Sequence, residues 1–197
     1  MASIGHVAVG MAAARIYAPG PRRLGALLVS MVLWTELSLL PDADVLGFAF
    51  GIRYGDPWGH RGATHSFVFS VALGTALGLL TVALRTPAYH KPALRTGVLA
   101  SLVLVSHALL DTLTDGGLGC ALFWPFDETR HFAPWQLIPV APIGRDFLSE
   151  RGLHVALAES LGFAPVFLYA LWPRAKASRH PWPLNTPAPG RGPGPPG

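Results

Sequence analysis

The sequence predicts an all-α, multi-pass transmembrane bundle of about five helices, four long and one short at the N-terminus. Three observations carry this. Charged residues make up 13% of the 197 residues and the apolar set AVILMFWYC 51%, whereas a typical soluble domain has about 25% charged residues. Four apolar segments approach the length that crosses a bilayer, about 20 helical residues for a core of ~30 Å, with about 17 as a practical minimum. The histidines and carboxylates that interrupt this apolar pattern stand near segment ends rather than along the segments.

The elements follow in order. Ile4 to Ala18, rich in Ala, Gly and Val, is too short for a full bilayer and suits a thinned region or a place against its neighbours. It lacks the basic start of a signal peptide, and its Arg15 stands at the wrong end, so it belongs to the mature fold. Leu24 to Leu40 is interrupted only by Glu36, Gly62 to Leu84 has no Asp, Glu, Lys or Arg, and Leu153 to Trp172 carries only Glu159. Thr96 to Leu110 reaches spanning length if its helix starts near Ala93 and runs past Asp111. Breakers set the boundaries: Pro19-Gly20-Pro21, Pro41, the pair Pro87 and Pro92, and Gly116-Gly117, which suits a left-handed helix cap. Residues 1–180 form one membrane-embedded domain, and the Pro/Gly-rich stretch 181–197 reads as a disordered tail.

Charge placement orients the bundle. With five alternating helices, the clusters Arg22/Arg23, Arg85/Lys91/Arg95 and Arg174/Lys176/Arg179 share one side, which the positive-inside rule assigns to the cytoplasm together with the C-terminal tail. The two long connections, Pro41 to His60 and Asp115 to Arg151, then lie on the outer face. Scattered Lys and Arg form no basic stripe, so no nucleic-acid partner is expected; the lipid bilayer is the expected partner. Trp58, Trp124, Trp135 and Phe132 fit an interfacial aromatic belt.

The same alternation gathers chemistry at one level. His6 opens helix one, Asp42 and Asp44 follow helix two, His60 and His65 lead into helix three, and His107 and Asp111 stand near the end of helix four, all on the outer side. The lone Cys120 rules out an intramolecular disulfide and a Cys-based zinc cluster, so a metal would be held by His and carboxylates. His107 and Asp111, four apart, project from one helix face. Pro41 should leave Asp42 and Asp44 in a turn. His60 and His65 are five apart, about 140° around a helix, so one regular helix cannot aim both at one ion. His60 is therefore expected in the entering loop and His65 in the first turn, with Thr64 or Ser66 as the cap. Each residue alone has an ordinary structural reading, but several carboxylates near a bilayer accumulate at least ~2.5 kcal/mol apiece on insertion scales, and a divalent cation offsets that. His154 and Glu159 fit a supporting role, and Glu36 fits a buried structural pairing. His90, His131 and His180 fit solvated loop or tail positions. Arg61, Arg130 and Arg145 suit either an anionic substrate or a nearby carboxylate.

The order His6, LLPDAD at 39–44, GHRGATHS at 59–66 and SHALLDTLTDGG at 106–117, followed by FWPF at 123–126, resembles the bacterial membrane-bound, predicted metal-dependent hydrolases whose prototype is an inner-membrane protein under LexA control. The resemblance covers about residues 1–150. It implies a multi-pass inner-membrane protein with a hydrolytic metal site. A more distant similarity joins His6, Asp44, a histidine of GHRGATHS and the His107/Asp111 pair to the zinc-dependent phospholipase C and P1-type nuclease family. Those enzymes draw further ligands from a later His-x-x-x-acid element; here Ala158 stands four after His154.

Imidazoles and carboxylates suit Zn²⁺, as one or two ions, with Mn²⁺ or Fe²⁺ as alternatives. The expected metal residues are His6, Asp44, His60, His65, His107 and Asp111. Asp44 and Asp111 would bridge or share ions, His107 with one of His60 or His65 would complete one ion, and His6 would serve another. Asp42 would act as base or orienter and Arg61 would hold an anionic headgroup. Metal-assisted hydrolysis of a phospholipid or lipid-linked phosphate ester is the expected reaction. The alternatives are a metal-stapled scaffold and a metal or proton transporter.

Overall fold

A computed structural model of the chain describes residues 3–17, 24–84 and 90–173. The tail at 181–197, the breakers Pro19-Gly20-Pro21 and Pro87, and the basic cluster from Arg174 onward lie outside the described residues. The described residues form six α-helices: α1 Ser3–Tyr17, α2 Leu24–Leu39, α3 Phe67–Ala83, α4 His90–Thr112, α5 Glu150–Gly162 and α6 Ala164–Leu171. Short 3-10 helices cover Leu40–Phe50, Ala63–His65 and Gly144–Leu148. No strand forms among the described residues; two isolated bridges pair Thr114 with Ile138 and Cys120 with His131. The all-α expectation holds.

Several boundaries differ from the sequence reading. Pro41 does not leave a turn. Its ring and missing N–H end the α-helix at Leu39, yet the chain continues as the 3-10 helix Leu40–Phe50, with Pro in its first turn and Gly51 closing it at φ +82°. The two pieces together form a 27-residue candidate span, Leu24–Phe50. Helix α4 ends at Thr112, before Gly116-Gly117. Its terminal carbonyls are taken by the following loop: Ala133 N donates to Thr112 O, Ile138 N to Leu113 O and Thr114 Oγ1 to Asp111 O. The segment Leu153 to Trp172 is two helices bent by 64°. Pro165 sits in the first turn of α6, where its lacking N–H and its ring cannot continue α5.

By length and composition, Leu24–Phe50 and the 20-residue Ala93–Thr112 can cross a membrane, and α5 with α6 makes a third if the bent pair is one span. Helix α3 is shorter than Gly62 to Leu84 suggested. Its first residues are spent on the turn that carries His65, and Ser66 Oγ caps it by accepting from Phe69 N at 3.1 Å.

The packing is arranged for lipid. The main buried cluster combines Ala13, Ala14, Met31, Trp34, Ala100, Val103 and Ala170, while Leu24, Leu33, Leu79 and Leu94 are each more than 60% exposed. Many leucines face outward while small residues mediate the closest helix contacts around Met31 and Trp34, as expected where the surroundings are as apolar as leucine and helices associate by close backbone approach. Two glycines show how close. A Cβ on Gly10 of α1 would lie 2.5 Å from Thr35 Cα of α2, and one on Gly74 of α3 would lie 2.5 Å from Ser101 N of α4. Buried Arg15 ties the other end of α1 to α6 by donating to Ala170 O and Trp172 O.

The α3–α4 contact yields a direct test. Gly74→Leu should lower the thermal midpoint of the detergent-solubilised protein by several degrees, in line with an overpacking cost of about 1–3 kcal/mol. Gly25→Leu, on α2 with nothing within 4 Å of its Cβ position, should leave the midpoint within a degree or two. Circular-dichroism melts of both variants beside wild type check the pair.

Candidate metal centre

The elements bring the predicted residues to one end of the bundle. Helix α1 supplies His6 in its first turn, the 3-10 helix after α2 supplies Asp42 and Asp44, and the turn before α3 supplies His60, Arg61 and His65. The last turns of α4 supply His107 and Asp111. Asp42, His65, His107 and Asp111 are all buried, and each offers a donor atom within 4.8 Å of the other three. Asp42 Oδ1 lies 3.5 Å from both His65 Nε2 and His107 Nε2, and Asp111 Oδ2 lies 3.5 Å from His65 Nε2. The two Nε2 atoms are 3.0 Å apart.

The hydrogen bonds behind these rings fix their tautomers. His107 Nδ1 is 2.7 Å from Ser38 O, and a carbonyl only accepts, so Nδ1 carries the proton and Nε2 of the neutral ring presents a lone pair. Thr64 spends its hydroxyl proton on Asp44 Oδ2 at 2.7 Å and therefore accepts from His65 Nδ1 at 3.0 Å. With that ring neutral, His65 Nε2 presents a second lone pair, aimed at the first. Two lone pairs at 3.0 Å beside two carboxylates repel unless a cation or a proton stands among them. Neither oxygen of Asp42 has a hydrogen-bond partner among the described residues. Two imidazole nitrogens and two carboxylate oxygens, each ring anchored through its other nitrogen, fit a divalent cation such as Zn²⁺.

The other predicted ligands surround this group. Asp44 is occupied by the loop: it accepts from His60 Nδ1 at 2.7 Å, Arg61 N at 3.1 Å and Thr64 Oγ1 at 2.7 Å. Asp44, His60 and His65 form a second group with donor atoms within 4.8 Å of one another, and the same bonds make Asp44 the organiser of GHRGATHS. Between the two histidines left open by spacing, His65 faces His107 and His60 faces Asp44. His6 Nε2 is 3.2 Å from Asp111 Oδ1, and its ring stacks on His107 with centroids 3.8 Å apart. It steadies Asp111 and His107 and stands outside the converging four. Glu159 does not approach the donors; its Oε2 accepts from Ile4 N at 2.8 Å and Gly5 N at 3.0 Å, holding the start of α1 and hence His6.

Arg61 is fully buried with φ +64°, a left-handed conformation that a non-glycine residue adopts at a cost of order 1 kcal/mol. Several contacts impose it: Arg61 N donates to Asp44, its carbonyl accepts from Ala121 N at 3.0 Å, Nη1 donates to Gly116 O at 2.8 Å, and Nε lies 3.0 Å from Asp111 Oδ2. Burial opposes the guanidinium charge, but Asp111 outweighs it, and the pKa is raised above its ordinary value. The flanking residues have no room for side chains. A Cβ on Gly59 would sit 2.5 Å from Tyr54 O, and one on Gly62 2.8 Å from Gly59 O.

Several other expectations are corrected. Glu36 is exposed, not buried, because its α2 face points away from the bundle. His154 and Arg145 are exposed as well, and Arg130 serves structure by donating to His60 O, Tyr54 O and Asp56 O. His131 is half-buried, held in its bridge to Cys120 rather than solvated. Asp42 moves from base or orienter to one of the four converging donors. Spacing gave no access to the Ser38 carbonyl, since any residue there supplies the same acceptor, and Thr64 showed in the sequence only as a cap.

An apolar-faced helical bundle with a buried His/Asp donor set at one end defines a helical membrane protein whose donor set could hold a metal ion. The chain belongs to the YdjM inner membrane protein family, which it matches over residues 1–180. It is 45% identical over 124 residues to inner membrane protein YbcI of Escherichia coli (strain K12), an alignment covering 62% of this chain and 69% of that protein. No solved structure matches the chain.

Two outcomes are expected. The purified protein should carry about one divalent transition metal per chain, and His107→Ala combined with Asp111→Ala should remove most of it. Unchanged metal by mass spectrometry in a folded double variant would contradict the donor assignment. The buried Cys120 thiol, whose pKa burial pushes up to about 11, should resist maleimide at pH 7 in the folded protein and react after unfolding. Because a raised thiol pKa withholds the thiolate, any alkylation of the folded protein should keep rising about tenfold per pH unit beyond the point where an ordinary thiol, with a pKa of about 8.5, levels off.

Proposed function

We propose that this chain is a metal-dependent hydrolase of the bacterial inner membrane, acting on phosphate esters of lipids or lipid-linked substrates. The observation that carries the reading is the convergence of Asp42, His65, His107 and Asp111, with both imidazole lone pairs aimed at each other. When bound, a divalent ion supplies Lewis acidity for hydrolysis. The chain's own part is positional and electrostatic. Ser38 O and Thr64 Oγ1 hold the two rings, His6 holds Asp111, and Arg61 adds a fixed positive charge beside Asp111. A phosphate ester gains negative charge on its oxygens as it reacts, and a buried guanidinium next to the donor set counters that charge where water does not screen it.

A second reading, a metal-stapled scaffold, is favoured by one observation: all four donors are buried, and fully closed four-ligand sites are usually structural. Transport is less favoured, because the polar residues gather at one end of the helices. Turnover separates these readings. Asp42→Asn keeps the side chain's size and removes one charged donor, so it should reduce metal-dependent cleavage of lipid phosphate esters by at least about tenfold to a hundredfold, the range known for perturbed metal sites. Chelation should abolish the activity, and Zn²⁺ or Mn²⁺ should restore it. Equal background rates for wild type and Asp42→Asn across a panel of such esters, with metal bound in wild type, would assign the staple.

The reading places the site on the outer face and the C-terminal tail in the cytoplasm, supported by the Lys and Arg bias. With Cys120 replaced by Ser, an impermeant reagent on intact cells should modify a cysteine introduced at Trp58, which is 56% exposed, and spare one at Lys91. The reverse labelling pattern would invert the orientation.

A further inference from the structure

An open cleft of about 480 Å³ lies beside the donor cluster, between Tyr54, His60, Arg61 and Gly117 on one side and the segment 140–151 on the other. We propose that this cleft is a binding subsite for a phosphate group. The proposal deepens the hydrolase reading and rests on it for the expectation that the bound phosphate belongs to substrate.

Arg61 carries the argument. Its Nη1 donates to Gly116 O and its Nε forms an ion pair with Asp111 Oδ2 at 3.0 Å, but neither Nε nor Nη2 has a hydrogen-bond partner among the described residues, although the side chain is completely buried. A buried donor on a cationic group is costly to leave unsatisfied, and phosphate, like carboxylate, is an acceptor that guanidinium geometry suits. Gly117, at φ +88°, lets Tyr54 and Arg61 pack against its backbone: a Cβ there would lie 2.6 Å from Tyr54 Oη and 2.9 Å from Arg61 Nη1. At the rim stand exposed Arg151 and Ser149, the N-cap of the 13-residue helix α5, whose positive end adds to the field. Asp146 is the one carboxylate among the lining residues, so cations outnumber it. The guanidinium lines the cleft yet is fully buried, whereas Arg151 is exposed, so an entering anion meets Arg151 before Arg61. Val140, Pro142 and Ile143 form an apolar wall alongside, which fits the start of an acyl or prenyl chain attached to the phosphate.

Calorimetric titration of the full-length protein in a nonionic detergent tests the subsite with two probes, inorganic phosphate and dihexanoyl phosphatidic acid. Saturable binding of phosphate is expected, and Arg151→Ala should raise its Kd about tenfold with metal content unchanged. Tighter binding of the lipid, lost in Ile143→Asn while phosphate binding is retained, would assign a lipid headgroup; equal affinity for both probes would assign the free anion, and either result supports the subsite. Asp42→Asn, deficient in metal, should still bind phosphate, so failure of the hydrolase reading leaves this result standing. Absence of binding by wild type would overturn the proposal. So would equal Kd values in wild type, Arg151→Ala and Arg61→Lys, or loss of phosphate binding in folded Asp42→Asn, which would move the anion onto the metal.

Discussion

Two carboxylates and two imidazoles, sealed from water at one end of a bundle whose outer surface is made for lipid, set the terms for the whole chain. Ionised carboxylates in such surroundings are expensive unless a compensating charge is fixed close by. Each element end is therefore committed to compensation. Glu159 of α5 holds the start of α1 and so the position of His6, the last turn of α2 lends a carbonyl to His107, and the strained backbone at Arg61 lets one residue reach Asp44, Gly116 and Asp111 together. Moving any of these helix ends by an ångström would break a bond that orients a donor.

The inside-out packing serves that constraint. With alanines and glycines at the contacts, α1 approaches α2 and α3 approaches α4 closely, and three chain segments bring the four donors within 4.8 Å of one another. Bulky leucines turned outward contribute nothing to this core, since lipid tails already satisfy them. The 3-10 continuation after Pro41 has a related effect. It carries Asp42 and Asp44 onward from α2 without a change of chain direction, so that one carboxylate faces His65 and His107 while the other gathers the GHRGATHS turn.

Much of this was legible in the sequence because it follows from spacing and sidedness. Apolar run lengths gave the all-α membrane class, and helix alternation put His6, Asp42, Asp44, His60, His65, His107 and Asp111 at one level. The i,i+4 spacing put His107 and Asp111 on one face. What spacing could not supply was which donors face one another. The choice between His60 and His65 depends on a turn whose shape is set by Gly59, Gly62 and the left-handed Arg61, and the exchange of roles between Asp42 and Asp44 depends on the phase of a 3-10 helix that hydrophobic periodicity does not report. The exposed Glu36 was misread for a related reason: a single carboxylate in an apolar run suggests burial, but only packing reveals which face of α2 meets the bundle. Leu153 to Trp172 was read as one segment from its apolar run, and the bend at Pro165 divides it.

The central claim is that the fixed lone pairs of His65 and His107, with Asp42 and Asp111, hold a divalent ion rather than a shared proton. X-ray absorption at the metal edge of the purified full-length protein tests it most directly. The account predicts a stoichiometric metal with a nitrogen and oxygen shell at about 2.0–2.2 Å and the multiple-scattering signature of two imidazoles. A protein that contains no stoichiometric metal after growth and purification with added Zn²⁺ or Mn²⁺, or a metal whose shell includes sulfur, would contradict it.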